Sequence, residues 1–152
     1  MDILDKLKEL NIEYDIEEHN PIFTIEDANK LNLKIDGIGT KNLFLKDKYD
    51  NYYIYVIEEN KKADFKFLKE KMGKQLKFGT AEELYDVLKL LPGCVSPLSI
   101  INDNGRVKVI LDKELAGEKL LFNPNRNTAT ISIEYENLIK LIKQYKNEYI
   151  II

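Results

Sequence analysis

Two segments rich in aromatic and β-branched residues, Lys41-Asn-Leu-Phe-Leu45 and Tyr52-Tyr-Ile-Tyr-Val-Ile57, flank a polar stretch at 47–51. Side chains of this kind suit a pleated, half-buried surface, and the short polar interval turns the chain back on itself. The pair predicts a β-hairpin, which the rest of the chain must cover. Further strands are predicted at Asn11–Glu17, where apolar and polar residues alternate, at Arg106–Leu111, at Ala129–Ile133 and over Glu148–Ile152.

Helices fill the intervals. Ile3, Leu4, Leu7 and Leu10 recur at helical spacing. Thr24 predicts the N-cap of a helix through Leu31, with Glu26 and Asp27 favourable to its dipole. Asp64 opens a helix through about Lys71 that Gly73 closes, and Thr80 with Glu83 forms a capping box for a helix through about Leu90, ended by Pro92-Gly93. A last amphipathic helix turns Leu138, Ile139, Leu141 and Ile142 inward. The expectation is a single α+β domain over 1–152, strands outnumbering helices around a mixed sheet.

Composition narrows the chemistry. A hydrophobic share of 44% and a charged share of 32% over 152 residues are those of an ordinary globular chain. No apolar run approaches the ~20 residues of a membrane span, and the first residues lack the basic start and apolar stretch of a signal peptide. A cytoplasmic protein without a membrane partner is expected. One cysteine, Cys94, excludes an internal disulfide and a multi-cysteine zinc site, and one histidine, His19, leaves little for metal binding or a histidine-centred triad. No phosphate-binding glycine motif appears, so neither metal nor cofactor is expected. The net charge of −3 argues against general nucleic-acid coating. Lys61, Lys62, Lys66, Lys69, Lys71, Lys74 and Lys77 still form a local basic segment, either a solvated helix face or a seat for a phosphate backbone.

Three stretches stand apart from plain scaffold. Lys41 and Asn42 begin an otherwise apolar strand, either as a solvent-exposed end or as an ammonium and an amide at a pocket rim. Pro92-Gly-Cys-Val-Ser-Pro97 has the composition of a rigid loop with exposed backbone, whose N–H groups suit an anion or polarised carbonyl if it is more than a tight connection. Phe122-Asn-Pro-Asn-Arg-Asn-Thr-Ala-Thr130 is a polar loop in which Asn127 and Thr128 cap a turn or donate to a ligand. Cys94 and Ser96 would need an activating base to act as nucleophiles, and nothing local brings His19 to them.

Six segments in order resemble the YbaK/ProX family of tRNA-editing domains: His19-Asn-Pro-Ile-Phe-Thr24, Thr40-Lys-Asn-Leu-Phe-Leu45, Lys62-Ala-Asp-Phe-Lys-Phe-Leu68, Pro92-Gly-Cys-Val-Ser-Pro97, Asn102-Asp103 and Asn127-Thr-Ala-Thr130. The resemblance implies a mixed, mostly antiparallel, barrel-like sheet surrounded by helices. It also implies a free-standing ester hydrolase that removes alanine from mischarged proline tRNA, as the Pro-Gly-x-Val-Ser-Pro form and the Asn-Asp after it look like the alanine-removing branch. Lys41 matches the family's essential lysine at the aminoacyl-adenosine end, with Asn42 beside it. Gly93 to Pro97, including Cys94, Val95 and Ser96, matches the Gly-x-x-x-Pro loop whose backbone holds the ester and the attacking water, assisted by the ribose 2′-hydroxyl. Ile22, Phe23, Thr24, Asn123, Asn127 and Thr128 complete the expected substrate-binding set, and Ile22, Phe23, Val95 and Leu98 are the expected pocket wall. Asn123 departs from the family's usual histidine, and Cys94 from its usual serine. The implied partner is aminoacyl-tRNA, with prolyl-tRNA synthetase as a protein partner left open, on a monomer or weak dimer. Two alternatives stay open: a deacylase for serine, cysteine or 2-aminobutyrate, and a non-catalytic tRNA- or aminoacyl-binding module.

Overall fold

The hairpin forms the longest pairing in the molecule. The computed structural model describes residues 2–152. Along it run α1 (Ile3–Glu9), β1 (Asp15–Glu18), α2 (Ile25–Lys30), β2 (Ile38–Lys46), β3 (Tyr52–Glu58), α3 (Phe65–Met72), β4 (Lys77–Phe78), α4 (Ala81–Leu88), β5 (Val107–Leu111), β6 (Lys119–Phe122), β7 (Ala129–Glu134), α5 (Tyr135–Gln144) and β8 (Tyr149–Ile151). Short 3-10 turns occupy Pro97–Asn102 and Lys113–Leu115.

The strands order as β1-β7-β6-β2-β3-β5-β8, with β4 added to β2. Pairs β1–β7, β2–β3, β2–β4 and β6–β7 are antiparallel, whereas β2–β6, β3–β5 and β5–β8 are parallel. This is the expected α+β class with a mixed sheet. β2 is the seam. Ile38 and Gly39 pair with Leu120 and Leu121 of β6, and Thr40 to Lys46 then pair with Glu58 to Tyr52 of β3. Residues at that change of partner sit where the two halves of the sheet diverge, and they line the cleft described below.

β3 shows why its sequence is apolar without a break. Tyr52, Ile54 and Val56 enter the larger core beside α1, α4 and α5, while Tyr53, Tyr55 and Ile57 enter a second core with Leu45, Leu68, Leu76 and Ile110. A strand covered on both faces has no solvent side to make polar. α3 supplies the second cover through the fully buried Leu68.

The caps follow the expected chemistry. The Asp64 carboxylate accepts the Phe67 N–H at 3.0 Å, and Gly73 ends α3 in the left-handed region. In α4, Thr80 Oγ1 accepts the Glu83 N–H at 3.1 Å while the Glu83 carboxylate accepts the Thr80 N–H at 2.9 Å. Thr24 and Asp27 make the same reciprocal pair, at 3.0 and 3.2 Å.

Several elements differ from the sequence reading. The strand expected from Asn11 starts at Asp15, because Asn11 takes a left-handed φ of 57° and Ile12 folds back to donate to the Leu7 carbonyl at 2.9 Å, burying its side chain. The helix expected to reach Leu90 ends at Leu88, where Lys89 turns left-handed and its N–H closes on the Tyr85 carbonyl. The helix after Thr24 stops at Lys30 rather than Leu31. β4 and β6 were not anticipated, since two residues carry no period and Lys119-Leu-Leu-Phe122 does not alternate.

Candidate active site

A cleft of about 690 Å³ opens where β2 leaves β6 for β3. Its walls come from four separated stretches: Ile22, Phe23 and Thr24 ahead of α2; Gly39, Thr40, Lys41 and Asn42 of β2; Gly93 and Val95; and Leu121, Phe122 and Asn123. The loop 31–37, Glu59 and Thr130 complete it.

Each wall is held from behind. Ile22 exchanges hydrogen bonds with Asn127: its N–H donates to the Asn127 carbonyl at 3.1 Å, and the Asn127 amide donates to the Ile22 carbonyl at 3.1 Å. The His19 N–H donates to the Thr128 carbonyl at 2.9 Å, and the Thr128 hydroxyl accepts from Arg126 at 2.8 Å. His19 Nδ1 donates to the Asn20 carbonyl at 2.7 Å, and Nε2 is hydrogen-bonded to the Thr130 hydroxyl at 2.7 Å. The loop 31–37 is tied down by the Glu17 carboxylate, which accepts from the Lys34 and Ile35 N–H groups, and by Ser132, which donates to the Asp36 carbonyl.

Of the residues singled out in the sequence, Lys41, Asn42, Gly93, Val95, Ile22, Phe23, Thr24 and Asn123 line this one cleft. Cys94, Ser96, Pro97, Asn127 and Thr128 do not. Ser96 is fully buried, and its hydroxyl caps the 3-10 turn by accepting the Leu98 N–H at 3.0 Å. Pro97 is buried at the first position of that turn, and Leu98 is a core residue rather than part of the cleft wall. Cys94 packs against the larger core, and burial pushes its thiol up from the ordinary range. The Asn102-Asp103 pair is also structural: the buried Asp103 carboxylate accepts from the N–H groups of Gly105 and Val107 at 2.8 Å each and from the Asn147 amide at 2.9 Å.

Several polar groups of residues lining the cleft are unspent. Gly93 has a φ of 91°, which strains any residue with a Cβ, and the space in front of it is open. Neither the Gly93 nor the Val95 N–H has a partner among the described residues, whereas Cys94 between them donates to the Leu91 carbonyl. The Asn42 amide donates to Thr40 at 3.4 Å, but its Oδ1 is buried with no partner. Lys41 enters no ion pair among the described residues. Lys41, Asn42 and the main chain of Gly93 and Val95 thus line one volume, and a cation with free main-chain donors is the set needed to hold an anionic ligand and stabilise negative charge on a carbonyl oxygen.

A family model described as the aminoacyl-tRNA editing domain matches residues 19–141, which spans every wall of the cleft. The chain belongs to that family. Membership makes it an aminoacyl-tRNA deacylase, a hydrolase, and implies binding of aminoacyl-tRNA. It is 38% identical over 151 residues to the prolyl-tRNA editing protein ProX of Acetoanaerobium sticklandii, covering 97% of this chain and 92% of the relative. It is 32% identical over 154 residues to the prolyl-tRNA synthetase associated domain-containing protein 1 of Mus musculus, covering 97% and 91%. Among solved structures, hypothetical protein APE2540 superposes with a TM-score of 0.77 at 18% identity, covering 97% of this chain and 95% of that one. A candidate trans-editing enzyme for prolyl-tRNA synthetase gives 0.74 at 16%, covering 97% and 92%. At those identities the structures speak for the fold.

Gly39 and Glu59 line the cleft without any site signal in the sequence, whereas Thr130 falls within the polar 122–130 stretch. What brings Gly39 and Glu59 there is pairing across the sheet, which no local pattern carries.

The basic segment divides. Lys61 pairs with Asp112 and Glu114, and Lys74 with Asp47. Lys62, Lys66, Lys69, Lys71 and Lys77 make no ion pair among the described residues. Among those residues no helix is long and apolar enough to cross a membrane.

Proposed function

We propose that this editing domain works in trans on alanyl-tRNA of the proline type, cleaving the ester that joins alanine to the terminal ribose. The observation that carries the reading is that Lys41 and the unpaired main chain at Gly93 and Val95 face one cleft. The similarity to a prolyl-tRNA editing protein and the alanine-branch form of the 92–97 loop support the choice of tRNA and amino acid.

In this mechanism the Lys41 ammonium holds the phosphate at the adenosine end. The N–H groups of Gly93 and Val95 donate to the ester carbonyl oxygen as attack by water turns it into an oxyanion, and the substrate's own 2′-hydroxyl assists. Asn42, beside Lys41 on the cleft, is the polar side chain for a ribose hydroxyl. No side-chain nucleophile takes part: Ser96 is sealed in its cap, the Cys94 thiol is held protonated by burial, and His19 is committed to Asn20 and Thr130. Asn123 faces the cleft as a hydrogen-bonding amide and moves no proton.

A synthetic site shaped for proline cannot reject alanine strongly, because missing methylenes are worth only about 1–3 kcal/mol. A second, smaller site walled by Ile22, Phe23 and Val95 hydrolyses what slipped through. Delivery of tRNA by prolyl-tRNA synthetase fits this role, and the unpaired lysines of 62–77 offer a seat for the acceptor stem.

The test is hydrolysis of alanyl-, seryl-, cysteinyl- and prolyl-tRNA of the proline type by wild-type protein and Lys41→Ala. Alanine is expected to be lost fastest and proline retained, with Lys41→Ala slowing the reaction by about 100-fold or more at an unchanged melting temperature. Preference for serine or cysteine would replace the amino acid. No turnover of any ester would leave a binding module.

A further inference from the structure

Among the described residues lining the cleft, two carry charge: Lys41 and Glu59. Glu59 follows β3 and closes the ladder by donating its N–H to the Gly39 carbonyl at 3.0 Å. Its carboxylate folds over Gly39, in the space a Cβ on that residue would occupy. Glycine at 39 therefore makes room for the acid. The neighbouring Glu58 is spent, accepting from the Asn60 N–H at 2.9 Å and the Asn60 amide at 3.3 Å. The Glu59 carboxylate has no hydrogen bond or ion pair among the described residues, and Lys41 lies beyond ion-pair distance of it.

A half-buried carboxylate without a partner costs free energy, and the cost falls when a cation arrives. Burial, with Glu58 adding to it, already pushes the Glu59 carboxyl above its ordinary range. An alanyl ester brings a single cation, the α-ammonium two bonds from the ester carbonyl carbon, while the rest of the tRNA end is anionic. Lys41 and Glu59 match that polarity, one for the phosphate side and one for the amino side. A general base at this position would serve esters with and without an amino group alike, so the two roles separate on the amino group itself.

We propose that Glu59, seated on Gly39, receives the α-ammonium of the aminoacyl group and makes the cleft selective for esters with a free amino group. This rests on the reading that aminoacyl esters occupy the cleft.

The experiment compares alanyl-tRNA with lactyl-tRNA, in which a hydroxyl replaces the ammonium, and with N-acetylalanyl-tRNA. Wild-type protein is expected to favour alanyl over both by about 10- to 100-fold in kcat/KM, the worth of a charge-assisted hydrogen bond. Glu59→Gln should collapse the alanyl-to-lactyl ratio towards one by slowing alanyl turnover alone. Gly39→Ala should do the same at an unchanged fold, because the new methyl displaces only the flexible end of Glu59. Binding of 3′-alanylamino-3′-deoxyadenosine against its propionyl counterpart, measured by calorimetry, should show the same preference and the same loss. A Glu59→Gln protein that slows both esters equally, or that keeps the wild-type ratio, overturns the ammonium role and leaves the deacylase reading intact. A wild-type protein that turns over neither ester overturns both.

Discussion

The hairpin turn at 47–51 and the loop at 92–97 are both short and both rich in polar main chain, yet they treat their polar groups in opposite ways. In the turn, the Asp47 carboxylate is 1% exposed and accepts from the Tyr49 and Asn51 N–H groups, the Asn51 amide and the Tyr53 hydroxyl, with Lys74 at 3.2 Å. Burial alone would raise its pKa, but those hydrogen bonds hold the carboxyl far below the usual range. In the loop, the Gly93 and Val95 N–H groups have no partner among the described residues, and Gly93 holds a backbone angle only glycine adopts cheaply with open space beside it. Saturated groups fix the register of the β2–β3 pair, whereas unsaturated groups held rigid are ready for a ligand.

Substitutions can break this contrast. Gly93→Ala puts a methyl on a left-handed residue at a local cost of about 1–2 kcal/mol, and re-aiming the N–H should cut deacylation about 100-fold. Thermal melts should move by only a few degrees; a collapse of the fold would mean that the loop is scaffold after all. Asp47→Ala should do the reverse. It leaves Lys74 and Tyr53 without their acceptor, so urea unfolding should report a loss of about 3 kcal/mol or more, with unchanged turnover per folded molecule. A specific defect in turnover would erase the distinction.

Acid sharpens the same point. The hydrogen bonds from Lys46, Thr80 and Tyr52 hold the Glu83 carboxyl at about 2, and Asp47 is depressed as well. Because these groups titrate lower when folded than unfolded, their stabilisation is complete above the ordinary carboxylate range and disappears as pH falls through the folded values. Urea midpoints should therefore fall steeply between about pH 4 and pH 2. The fall should be shallower in Glu83→Gln. The smallest effect belongs to Cys94→Ala. Single-turnover rates should change less than about threefold and stability by about 1 kcal/mol, because the thiol is packing; a loss of turnover as large as that of Gly93→Ala would restore it as a nucleophile.

Much of the scaffold was readable because its causes are local. Thr80 and Glu83 satisfy each other three residues apart, Gly73 ends α3 with its own backbone, and the apolar run of β3 announces a strand before any partner is known. Reading failed where a distant residue decides. Asn11 to Tyr14 alternate like a strand, but Ile12 finds the core by folding back on Leu7 rather than by pairing. β6 exists because β7 and β2 lie on either side of it. The 92–97 loop was readable as unusual backbone, but which of its residues face the cleft was not: Gly93 and Val95 do, while Ser96 and Pro97 turn into the core.

The sequence by itself determined the hairpin, the caps, the lack of a credible triad and the family, since each rests on residue identity over short spans or on ordered motifs. Only the tertiary structure decided that Ile22, Gly39, Lys41, Glu59, Gly93 and Asn123 share one volume. It also decided that Glu59 of one strand end lies over Gly39 of another, because cross-strand register is set by the packing of both sheet faces at once and leaves no trace in the neighbouring residues.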